Sequence, residues 1–268
     1  MIRYPYVAGY FYPSDPDSLM SMLKKMIDVN AKKSKAKCII SPHAGYIYSG
    51  KVAGSVYSST ILPDTYVLLG PSHVYMESRI AMMRQGTWRT PLGDVPVNEN
   101  LAEMINNAAP SIREEDEVHT KEHSLEVQLP FLQFLKKKLT IVPLCISYYA
   151  DYNDLEELGK AVAKSIREFR KDTLIIASTD MSHQETQAVA KDKDYKAIQQ
   201  ILSLDPRKLV DTVKKENISM CGFQPTATAL IAAKELGASK ATLVQYQTSG
   251  DVTADYDQVV GYAGIRIN

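Results

Sequence analysis

No stretch of this 268-residue chain approaches the roughly 20 consecutive apolar residues needed to cross a bilayer. The opening segment, MIRYPYVAGYFYPSD, has no continuous apolar run of signal-peptide length and is interrupted by Pro5, Gly9 and Pro13. Excess charge is also missing: Lys plus Arg and Asp plus Glu each number 31, so nothing in the balance argues for nucleic acid or an anionic membrane as partner. Cysteine is scarce and odd in number, three in all, in a chain large enough to bury a core without disulfides. A reducing cytoplasm is the expected location. Internal repeats, low-complexity tracts and Gly/Ser linkers are absent, so residues 1–268 are read as a single domain.

What is present is an alternation. The apolar runs KCIIS (37–41), TYVLLG (65–70), LTIVPLCI (139–146) and TLIIAS (173–178) have the continuous character of strands buried on both faces. ATLVQYQ (241–247) and VVGYAGIRI (259–267) alternate more and are placed nearer an edge. Between the strands, residues 15–29 open on Asp15-Pro16, an N-cap followed by a first-turn proline, and then keep an apolar stripe. Residues 151–169 and 205–217 follow the same plan. The expected fold is an α/β sandwich with a central, mostly parallel or mixed sheet flanked by helices. Residues 79–100 break the rhythm, with two β-like arms around RTPLGD, and predict a hairpin added to the main sheet.

Open α/β sheets bind ligands beyond the carboxyl ends of their strands. Only five histidines occur, yet three follow apolar runs: His43 after CIIS, His73 after YVLLG, and His183 after LIIAS. One such histidine is more often structural than a ligand. Three at equivalent places, on parallel neighbouring strands, would converge on one face. Cys38 and Cys145 lie inside strand runs and read as small hydrophobes. Cys221 differs, because Pro225 marks a helix start and sets Cys221 in the turn before it, where the helix dipole favours thiolate. His43, His73 and Cys221 are therefore the candidate metal ligands. Two imidazoles and a thiolate suit Fe(II), Zn(II) or copper, and they leave coordination positions open.

Asp180 and His183, three apart in STDMSH, are candidates for acid/base work beside that metal, with Asp180 alternatively a helix cap. In EHSLEVQLPFL, the spacing of His123 and Glu126 puts both on one face of a short helix, where they would orient ligands or bound substrate from behind, or else be surface residues with no such role. The acidic run 113–126 reads mainly as solvated, and His119 within it is assigned to solvent.

The motifs VAGYFYP, PHAGYIYSG, GPSH, RTPLGD, EHSLEVQLPFL, STDMSH and CGFQP, in this order from residue 7 nearly to the C-terminus, resemble the Memo family. Its prokaryotic members are called AmmeMemoRadiSam system protein B. The resemblance implies a fold similar to class III extradiol dioxygenases, which are non-haem iron enzymes. It also implies a metal triad of His43, His73 and Cys221, the cysteine standing where the dioxygenases carry glutamate, with His183 at their acid/base position and Asp180 beside it. Fe(II) is the favoured divalent cation on this resemblance, with zinc or copper as alternatives. The family name further implies association with a radical-SAM protein and a third system protein. Animal relatives are described as redox-active metal binders and as phosphotyrosine-peptide adaptors.

Three functions follow as expectations: a metal-dependent redox enzyme, a metal-dependent hydrolase with bound water as nucleophile, and a non-enzymatic module whose cleft recognises a peptide or a partner protein. The expected occupant of the cleft is a small molecule or a peptide.

Overall fold

A computed structural model describes residues 1–268. The chain begins with β1 (Ile2–Arg3), α1 (Pro16–Met26), β2 (Cys38–Ser41), α2 (Tyr46–Ser58) and β3 (Thr65–Pro71). The middle holds β4 (Ile80–Met82), β5 (Thr87–Thr90), β6 (Gly93–Pro96), α3 (Glu99–Ala108), β7 (Ile112–Glu114), α4 (Asp116–Lys121), α5 (Leu129–Leu135) and β8 (Thr140–Ile146). There follow α6 (Tyr152–Phe169), β9 (Thr173–Ser178), β10 (His183–Glu185), α7 (Gln187–Leu202) and α8 (Pro206–Lys215). The chain ends with α9 (Phe223–Glu235), β11 (Ala241–Thr248), α10 (Gly250–Thr253) and β12 (Val259–Ile267).

The four continuous apolar runs form the centre of a nine-stranded sheet, in the order β2-β9-β3-β8 and all parallel. Every residue of β2 and β3 is buried, which is why these strands show no alternation: helices cover both faces. β12 runs antiparallel to β2 and carries β11 on its outer side, while β4 runs antiparallel to β8. The more alternating segments thus lie outside the parallel centre, with β11 along the edge.

Helix starts follow the local chemistry. Asp15 accepts the Ser18 amide to cap α1, Asp151 closes a capping box with Asp154 on α6, and Asp205 accepts the Lys208 amide to cap α8. α9 lies across β2, β3, β8 and β9, with α6 and α8 packed on it, whereas α2 packs on β2, β11 and β12 and carries α1 and α5. No helix is long and apolar enough to cross a membrane.

The expected hairpin forms, but not as an addition to the main sheet. β5 and β6 pair antiparallel around a turn in which Gly93 has φ of 115°, and Arg89 pairs with Asp94 across it. β1 then pairs with β5 to complete a separate three-stranded sheet. Only β4, at the start of the 79–100 segment, enters the main sheet. The break at Gln85-Gly86 lets the chain leave one sheet for the other, because Gly86, with φ of 108°, sits where a side chain would strike the Met1 carbonyl.

Candidate metal centre

β2, β9 and β3 are parallel neighbours, so the loops beyond their carboxyl ends meet at one place. His43 follows β2, His73 follows β3 and Asp180 follows β9. The three side chains line a cleft of about 630 Å³, together with His123 and His183. A larger hollow of about 1060 Å³ runs along the acidic stretch between Val74 and Lys121, but no histidine or cysteine faces it.

Ring nitrogens of His43, His73 and His123 lie within 4.8 Å of one another, close enough to share a metal ion. The His43 and His73 rings are 5.1 Å apart, and His73 stacks on His123 at 4.5 Å. Cys221 Sγ approaches His43 Nε2 at 3.2 Å. The turn that carries it is seated by Gly222, where a side-chain carbon would come within 2.4 Å of the Ser178 carbonyl oxygen. The three imidazoles are therefore within reach of a common centre, and the Cys221 sulfur lies beside His43.

The hydrogen bonds fix which nitrogen of each ring is free. Ser178 Oγ donates to the Ser124 carbonyl at 2.6 Å and accepts from Gln128 Nε2 at 2.9 Å. Its proton is thus committed, and His43 Nδ1, 2.9 Å away, must be the donor to it. His73 Nδ1 donates to Glu122 at 3.0 Å, and His183 Nδ1 donates to the Ser219 carbonyl at 2.9 Å. In the neutral form of each of these rings Nε2 is then the nitrogen with the lone pair, the arrangement that metal-binding histidines adopt.

Burial sets most of the electrostatics. It drives the His43 pKa well below the usual imidazole range, and the neighbouring rings of His123 and His73 push the same way. Burial likewise lowers His123 to about 4. For His73 burial acts downward too, but the hydrogen bond and charge of Glu122 outweigh it and raise the pKa. Glu122, in turn, resists its own burial through His73 and His123 and falls to about 2. Burial raises Asp180 to about 6, against the pull of the His43 amide and His183. Its Oδ1 accepts that amide at 2.8 Å.

Several expectations need correction. Cys221 does sit before α9, yet burial and the Asp180 carboxylate hold the thiol above its ordinary pKa, overriding the helix dipole. Thiolate would form there only as a cation displaced the proton. His123 precedes the helical residues rather than sharing a helix face with Glu126, and its ring joins the cluster directly. Glu126 turns away from the cleft. It accepts from the guanidinium of Arg3, from the Tyr6 and Val7 amides at 2.8 and 3.1 Å, and from Tyr12 Oη at 2.5 Å. This carboxylate fastens the N-terminal segment whose Tyr10 and Phe11 form a wall of the cleft. His119 is fully buried, not solvated, beside Trp88 and 3.5 Å from Cys145 Sγ.

Glu122, Ser178 and Gln128 escaped the sequence reading. Glu122 lies in a run of like residues, and nothing in the run marks the carboxylate that meets His73. Asp194 is a fourth: it accepts the Ser182 amide at 2.8 Å and Tyr246 Oη at 2.7 Å, bracing the loop that carries Asp180 and His183.

Fold and site together define an α/β protein with a histidine-rich, potential metal-holding cleft at the strand ends. A family model described as Memo-like protein matches residues 3–266, and the chain belongs to the Memo family. It is 42% identical to a MEMO1 family protein of Methanocaldococcus jannaschii, the alignment covering 98% of this chain and 97% of the relative. It is 39% identical to one of Methanopyrus kandleri, over 99% and 98%, and 42% identical to one of Methanosarcina mazei, over 99% of each. Among solved structures, an uncharacterized protein of Escherichia coli K12 shares the fold at 13% identity, with a TM-score of 0.58, covering 85% of this chain and 98% of that one.

Proposed function

We propose that this chain is a metal-dependent redox enzyme whose centre is held by His43, His73 and Cys221, with His123 as an adjoining donor. The observation that carries the proposal is the set of fixed Nδ1 donors. Ser178, Glu122 and the Ser219 carbonyl each commit a ring, so that Nε2 of His43, His73 and His183 is left as a lone pair beside one cleft. The donor set, imidazoles plus one thiol, fits Fe(II), zinc or copper, and Fe(II) is favoured by the likeness to the extradiol dioxygenases.

A bound cation of this kind would supply Lewis acidity and, if iron or copper, electron transfer. The chain's own residues do the rest. Glu122 holds His73 in register and lends it basicity. His183, with Nδ1 tied to Ser219, offers Nε2 to take a proton from a substrate in the cleft. Asp180 orients the His43 loop through its amide, and at a pKa of about 6 it can hold a proton near neutrality. The Asp180 amide donates to Cys221 Sγ at 3.3 Å, a contact that would stabilise the thiolate form.

Element-specific analysis of protein purified from its native host, without added chelator, tests the proposal. One equivalent of a redox-active metal is expected, with loss in His43→Ala and Cys221→Ala. Full metal in both variants would overturn the assignment.

A further inference from the structure

We infer that the molecule bound in this cleft carries a neutral aromatic or cationic group on the side away from the histidines, and no phosphate or carboxylate there. The inference rests on the metal-centre reading and extends it to the class of ligand. The chain has 31 lysines and arginines, yet none is among the 16 residues lining the cleft. Its charged side chains other than histidine are Asp180 and Asp255. Asp255 is exposed, accepts only the Asp257 amide at 3.0 Å, and pairs with no lysine or arginine.

The remaining wall is aromatic. Tyr10 stands 88% exposed at the rim, which leaves its ring free to meet a ligand. Phe11, whose ring meets that of His123 at 4.9 Å, and Tyr48 are half-buried in the same lining, and Tyr262 is buried. Aromatic faces beside an unpaired carboxylate attract cations and tolerate neutral rings. Positive charge from the backbone is also limited, because the Tyr46 amide at the start of α2 already donates to the Phe11 carbonyl at 2.8 Å. An anion at the inner end would meet the metal. At the outer end it would lose water and gain no partner, and it would face Asp255.

The test uses full-length protein loaded anaerobically with Fe(II), its metal content measured on the same sample. Three ligands with one chelating head are compared by calorimetry: dopamine with a cationic tail, 4-methylcatechol with a neutral tail, and 3,4-dihydroxyphenylacetate with an anionic tail. Dopamine and 4-methylcatechol are expected to bind at least ~10-fold more tightly than the acid, and Asp255→Lys to shrink that ratio at least ~3-fold. Equal binding of all three, tighter binding of the acid, or metal uptake with none of the three bound overturns the inference while the metal centre stands. An unchanged ratio in Asp255→Lys removes Asp255 from it. Failure to take up metal at all removes both readings.

Discussion

Glu122 grips His73 twice: Oε1 lies 3.0 Å from the ring Nδ1, and Oε2 accepts the residue's own amide at 2.5 Å. One carboxylate thereby sets both the backbone and the ring of a metal-facing histidine. Glu122→Gln keeps the shape and removes the charge, and it is expected to weaken metal binding by about 10- to 100-fold, as loss of such supporting partners typically does. Competition against a chelator of known affinity measures the change. Unaltered affinity would show that the grip serves folding alone.

The sulfur and the third imidazole can be separated. Cys221→Ser is expected to abolish the sulfur-to-metal charge-transfer band of protein loaded with Cu(II), because only a thiolate supplies it. His123→Ala is expected to retain the band and one equivalent of metal at reduced affinity. Unaltered protein that shows no such band, keeps its metal in Cys221→Ser and loses it in His123→Ala would hand the third position to His123.

His119 carries a prediction about acid. Burial holds its pKa at about 3, whereas an unfolded chain protonates the same ring near 6.5. Between those values the unfolded state binds a proton that the folded state refuses, so stability falls as pH drops from 6.5 toward 3. His119→Leu removes that proton from the balance. Its urea midpoint is expected to fall less between pH 7 and pH 5 than that of the unaltered protein. Parallel curves would show that other groups, such as His43 and His123, carry the whole effect.

Arg3 and Glu126 form an ion pair with neither side chain exposed. Removing one partner leaves a charge without water or counter-ion. Glu126→Ala is therefore expected to cost about 3–5 kcal/mol in chemical denaturation. It should also free the Tyr10–Phe11 wall, read as increased amide exchange over residues 4–12. A loss below about 1 kcal/mol would mean that the guanidinium finds other acceptors, such as the His119 and Glu122 carbonyls that it already meets.

The parallel centre was legible because CIIS, TYVLLG, TIVPLCI and TLIIAS are apolar without alternation, a pattern that only double-sided burial produces. The strand-end rule pointed to His43, His73 and His183, and all three line the one cleft. The partners behind them were not legible. Ser178 meets His43, and Gln128 meets Ser178 and the Pro42 carbonyl, through pairings set by the whole fold that no local spacing encodes. The same holds for His119, which sits in a charged run yet lies beside Trp88 of the small sheet. Cys221 was singled out by its place before a helix, but burial raises the pKa of its thiol, and burial is not a property of neighbours in sequence.

The loops with His43, Asp180 and His73 hang from β2, β9 and β3, three adjoining strands at the middle of the sheet. Core strands of that kind are the last part of a fold to open, so the anchor points of these loops keep their spacing even while the loops themselves move. A captured ion would then exchange through the mouth of the cleft, where the His73 side chain is 35% exposed, without any loss of the sheet beneath it.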